Sequence, residues 1–127
     1  MHDSIRALAE GYTAAWCSQD AGRVAGFYSP EGSLRVNDGP AAVGSAAITE
    51  VARGFMKAFT DLRVILDALE LVDGQPVYKW TLEGTHAVSG TRVRVSGFEE
   101  WRIGEDGLIA ESRGRFDEGE WERQVRL

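Results

Sequence analysis

The stretch TRVRVSGFEEWRI, residues 91–103, carries a carboxylate where its pattern calls for an apolar side chain. It alternates with the period of a β-strand. Val93, Val95, Trp101 and Ile103 fall on one side, and Arg92, Arg94, Ser96, Glu100 and Arg102 on the other. Glu99 falls with the apolar set. Three readings are open. Glu99 is a buried acid that donates a hydrogen bond to a ligand oxygen, or a buried acid satisfied by an internal partner such as Tyr12 or His86, or a β-bulge at Gly97 turns it outward and Glu100 inward. In either buried reading, lost hydration raises its pKa.

The neighbouring runs sort the same way. In 76–88, Tyr78, Trp80, Leu82, Gly84, His86 and Val88 share a face. In 108–116, Leu108, Ala110, Ser112, Gly114 and Phe116 share one, with Ile109, Glu111, Arg113 and Arg115 opposite. One side of the sheet is therefore apolar and the other carries mixed charges, as solvated cross-strand ion pairs would. Small residues at Gly84, Gly97, Ala110, Ser112 and Gly114 either let a helix approach or leave room for a ligand beside Glu99, His86 and Trp101. Other chemistries lack their residues. His2, His86 and Cys17 give no zinc spacing, and there is no phosphate loop, dinucleotide fingerprint or nucleophile elbow, so neither metal nor cofactor is expected. Cys17, beside Trp16, reads as a small core residue.

These residues need elements to position them. Helical spacing of Ile5, Leu8, Tyr12, Ala15 and Trp16 predicts a helix over 3–18, capped by Asp3. Asp20 caps a short second helix carrying Val24, Phe27 and Tyr28. SPEG and NDGP read as turns around a short strand, SLRV. A third helix, 45–59, is capped by Ser45. Four long strands follow at 62–72, 76–88, 91–103 and 108–116, joined by DGQP, SG and GEDG. A last helix is capped by Asp117 and Glu120. Helices followed by an antiparallel meander make an α+β fold in one domain, 1–127.

The 127 residues carry a net charge of −6, which argues against nucleic acid and anionic membranes as partners. No stretch has the length and apolarity of a membrane span or a signal peptide. The single cysteine suits a cytoplasmic protein.

GYTAAWCSQDAGRVAGFYSPEGSL resembles the opening of the nuclear transport factor 2-like superfamily, and WTLEGTHAVSGTRVRVSGFEEWRIGEDGLIAESRGRFD is similar to the strands of its SnoaL-like branch. The resemblance implies a cone: a curved antiparallel sheet packed on three N-terminal helices around a pocket, in a homodimer. It puts Tyr12 where ketosteroid isomerases have an oxyanion-binding tyrosine and Glu99 where they have a protonated carboxylic acid. Their general base falls at Val36, with Asp38 two residues on. The Asp-Arg-Asp set of the fold's epoxide hydrolases has no match on the inner faces. In the manner of the polyketide cyclases, His86 and Glu99 would exchange protons. The expectation is cofactor-free acid/base chemistry of isomerase, cyclase or dehydratase type on a small apolar carbonyl compound. Tyr12, Glu99, His86 and Asp38 would be catalytic, and Trp16, Phe55, Trp80, Trp101, Ser112 and Phe116 would hold the ligand. The alternative is a ligand-binding or dimerisation domain without catalysis.

Overall fold

The computed structural model describes residues 2–125, and side chains from residue 4 onward, so the Asp3 cap falls outside the described side chains. The order is α1 (His2–Cys17), α2 (Ala21–Ala25), β1 (Tyr28–Val36), β2 (Ala42–Val43), α3 (Ser45–Ala58), β3 (Arg63–Val72), β4 (Gln75–Thr85), β5 (Arg92–Ile103), β6 (Ile109–Phe116) and α4 (Glu118–Val125). Local chemistry accounts for most boundaries. The Asp20 carboxylate accepts from the Gly22 N–H and starts α2. Gly44, at φ 89°, turns the chain into α3, so Ser45 is the first helical residue and not a side-chain cap. The Asp117 carboxylate accepts from the Glu120 N–H at the start of α4, one half of the expected capping box, while the Glu120 carboxylate accepts from Arg123 and Gln124. Asp73 and Gly74, both at positive φ, close the β3–β4 hairpin with the two-residue turn that DG favours.

The strands form one six-stranded sheet, curved and unclosed, in the order β2-β1-β6-β5-β4-β3. The meander β3-β4-β5-β6 is antiparallel, as expected. β1 joins it parallel to β6, so the whole sheet is mixed. α1 packs on β3, α3 on β1 and β2, and α2 against both helices, which covers the concave face. Tyr12, Trp16, Ile48, Phe59, Tyr78, Val95 and Trp101 belong to the core cluster between these layers.

Several expectations are corrected. SPEG lies inside β1, which begins at Tyr28, so Tyr28 is not on α2. β4 stops at Thr85, and His86 enters the loop that follows. In β6 the register shifts so that Ile103 faces Ile109 while Arg102 faces Glu111. This extra residue inverts the alternation and buries Ile109, which strict alternation had put on the charged face. Cys17 is exposed, not core: its thiol sits at the edge of β3, donating to the Val64 carbonyl at 3.3 Å.

Candidate functional site

β4 and β5 pair without interruption from Val77↔Glu100 to Thr85↔Arg92. No bulge occurs at Gly97, so Glu99 keeps its phase and points inward, where it is buried. It stands between Tyr78 on β4 and Gly114 on β6. Three donors converge on its Oε1: the Ser112 hydroxyl at 2.7 Å, the Trp101 indole N–H at 2.9 Å and the Tyr12 hydroxyl at 3.1 Å. Oε2 receives only a longer contact from Tyr12, at 3.2 Å. Since Tyr12 gives its proton to Glu99, the Tyr28 hydroxyl, 2.9 Å away, donates to Tyr12.

Loss of hydration pushes the Glu99 carboxyl above its ordinary range, and the donors from Trp101, Ser112 and Tyr12 oppose that rise. Burial, and then the neighbouring Glu99 charge, raise the phenols of Tyr12 and Tyr28 far above their usual value. A protonated Glu99 keeps its Oε1 as the acceptor of three hydrogen bonds and carries its proton on Oε2.

Glu99 forms part of the wall of a partly open cavity of about 50 Å3. The rest of the wall is almost wholly apolar: Trp16 from α1, Leu34 and Val36 from β1, Val51 and Phe55 from α3, Val64 from β3, and Tyr78, Trp80 and Leu82 from β4. Gly114 and Phe116 of β6 and Trp121 of α4 complete it. The Tyr78 hydroxyl is engaged elsewhere. It donates at 2.5 Å to Thr13, whose own proton goes to the Ala9 carbonyl.

The cavity thus takes in Trp16, Phe55, Trp80, Phe116 and Glu99 among the residues singled out from sequence. Tyr12, Trp101 and Ser112 stand behind the wall as the donors that orient Glu99. Two proposed proton movers lie elsewhere. Asp38 has its side chain 85% exposed and pairs with Arg115 at 3.0 Å. The NDGP turn therefore carries it into solvent, not inward. His86 accepts from the Ser89 N–H through Nδ1 and packs edge-on against Phe59 in the β4–β5 loop. Seven strand steps separate Thr85 from Tyr78, the partner of Glu99. At ~3.3 Å each they span roughly 23 Å, so His86 and Glu99 exchange no proton directly. Val36, the position matched to the isomerase base, does line the cavity, as a hydrocarbon. The main residue missed is Trp121. Its ring meets those of Phe55, Phe59 and Phe116 at centroid distances of 5.5–5.8 Å. The only sequence signal for it is an aromatic in a short, otherwise polar helix.

A curved, unclosed mixed sheet packed on helices is the architecture of the nuclear transport factor 2-like superfamily. The chain belongs to the SnoaL-like domain family, whose model matches residues 9–112. Three solved structures illustrate the likeness. A Catenulispora acidiphila protein with a ketosteroid isomerase-like fold, in complex with trimethylamine, superposes with a TM-score of 0.84 at 12% identity, over 94% of this chain and 92% of that one. TsrD from Streptomyces laurentii gives 0.84 at 24% identity, over 98% and 96%. A candidate polyketide cyclase from Xanthomonas campestris pv. campestris gives 0.79 at 18% identity, over 97% of each chain. At these identities the likeness extends to the fold alone. No curated protein sequence matches the chain.

Proposed function

We propose that this protein binds a small apolar carbonyl compound, with the Glu99 carboxyl donating a hydrogen bond from Oε2 to the ligand oxygen. The observation that carries the reading is a buried acid with three donors gathered on one oxygen, set in the wall of a cavity that is otherwise almost wholly apolar. A carboxylic acid kept neutral in such a site stabilises a developing enolate or alkoxide without rearranging. The reactions this supports are those that need one acid: enolisation, or ring closure in which the substrate supplies its own nucleophile. The chemistry is cofactor-free. The relation in fold to a candidate polyketide cyclase agrees with a cyclase type. Glu99 and Tyr78 are the only titratable side chains of the wall, and the Tyr78 proton is committed to Thr13. That observation favours a second reading, a binder without turnover.

Cyclohexanone in D2O tests both readings by proton NMR. Saturable binding is expected, and Glu99→Gln should weaken it by at most about fivefold, the full worth of one hydrogen bond of about 1 kcal/mol, because its amide donates less strongly than a carboxylic acid. Protein-dependent exchange of the α-protons identifies an enzyme, and binding without exchange a carrier. Binding that ignores Glu99→Gln rejects the proposal.

We assign the protein to the cytoplasm, on the strength of its single free thiol. We also propose a homodimer through the outer face of the sheet. Phe98, on β5, presents an exposed ring there among the pairs Lys79–Glu70, Arg94–Glu83 and Arg102–Glu111.

A further inference from the structure

Among the described residues, one buried side-chain nitrogen or oxygen has no hydrogen-bond partner: the indole nitrogen of Trp80. A buried N–H left unpaired has lost its water with nothing in return, and tryptophans that bury this group usually give it an acceptor. The ring is held by close neighbours. It lies over Gly97, where an added Cβ would come within 2.6 Å of the Trp80 Cζ2, and it meets Phe116 edge-on at 6.1 Å. Trp80 lines the same cavity as Glu99, and the remaining wall offers it no free acceptor. A water beside the Trp80 N–H would meet a wall that is otherwise almost wholly apolar, whereas buried waters typically make about three hydrogen bonds.

We propose that Trp80 is the second polar anchor of the cavity, so that its ligand carries two acceptor oxygens, one for the Trp80 N–H and one for Glu99. This rests on the reading of Glu99 given above. The spacing narrows the class. Glu99 pairs with Tyr78 and Trp80 with Gly97, so the two anchors sit diagonally across β4 and β5. Diagonal side chains start about 7–8 Å apart. Anchors that rise from separate residues on separate strands suit two oxygens on different atoms of a ring or chain better than a carboxylate's pair on one carbon. The aromatic walls of Trp16, Phe55 and Phe116 suit a ring. The ligand is thus a cyclic diketone, a quinone or a hydroxyketone, with its oxygens on opposite sides of the ring.

Cyclohexane-1,4-dione and cyclohexanone differ by the second oxygen alone. The ratio of their dissociation constants therefore reads the second anchor, and packing changes largely cancel in it. The dione should bind at least threefold tighter than cyclohexanone despite its greater polarity. Trp80→Phe should bring the ratio to one or below. In the wild-type protein, needing no variant, the dione should move the Trp80 indole N–H resonance downfield, and cyclohexanone should not. Glu99→Gln should weaken both probes and keep the ratio. If Glu99→Gln changes neither affinity, the Glu99 reading falls while the Trp80 anchor stands. An unmoved Trp80 resonance at saturating dione, or a ratio that survives Trp80→Phe, overturns the proposal, as does the absence of saturable dione binding.

Discussion

Glu99 is held by donors that favour its charge and by burial that opposes it, and burial is the larger effect. The sign of its contribution to stability follows. With the folded pKa above the unfolded value, the native state binds more protons between the two. Stability is greatest below the unfolded value, near 4.5, and falls as pH rises through the folded one. Each unit of elevation is worth about 1.4 kcal/mol. Glu99→Gln copies the protonated acid: its carbonyl oxygen takes the three donors and its amide occupies the place of Oε2. The wild type should therefore lose stability relative to Glu99→Gln as pH is raised from 4.5 to 8, measured by urea unfolding across that range. A difference that stays flat, or a carbon-13 titration of Glu99 at or below 4.5, would show the carboxyl to be charged in the fold.

At the scale of elements, access to the cavity is expected to depend on α4. β6 ends at Phe116, opposite Gly97, so the first half of β5 has no strand on that side. α4 takes the place of one. The Gln124 side chain accepts from the Arg94 N–H at 2.7 Å and donates to the Arg94 carbonyl at 3.0 Å, as a neighbouring peptide would. None of its residues is fully buried, and Trp121 is the ring it sets against the cavity. About 50 Å3 is small beside the ~300–1,000 Å3 of common ligand pockets. A ring compound is therefore expected to enter by displacing α4, a wall with no fully buried residue. Trp121→Ala should speed ligand association in stopped-flow fluorescence. It should cost about 2 kcal/mol in stability, less than the ~3–5 kcal/mol of a fully buried tryptophan. An unchanged association rate would mean that entry lies elsewhere.

At the scale of the whole molecule, the proposed homodimer would use the outer sheet face. Its charges are largely satisfied within one chain, by Lys79–Glu70, Arg94–Glu83 and Arg102–Glu111, and exposed pairs of this kind are worth little. The apolar contribution must come from groups such as Phe98, 36% exposed. Two copies related by a two-fold axis would bring their Phe98 rings to one interface. Light scattering at micromolar protein should give twice the 13.9 kDa chain mass. Phe98→Glu should reduce it to one chain while leaving the circular dichroism unchanged. A wild-type monomer would reject the dimer.

The sequence by itself determined whatever depends on local period and turn chemistry. The alternation of β5 put Glu99 inward, because a strict period of two leaves a side chain only two faces. Asp73–Gly74 located a hairpin, and the aromatic faces named Trp16, Phe55, Trp80 and Phe116 for the cavity wall. The tertiary structure decided what depends on partners distant in the chain. It joined β1 parallel to β6, a pairing that no local pattern encodes. It shifted one residue in β6 and so buried Ile109. It ended β4 before His86 and turned Asp38 to solvent, leaving Glu99 without the base that spacing had suggested. It set Tyr12, Trp101 and Ser112 behind Glu99 and brought Trp121 into the cavity wall. Depth within a wall is a property of several packed elements at once, and one strand's alternation specifies a face but not a distance from the cavity.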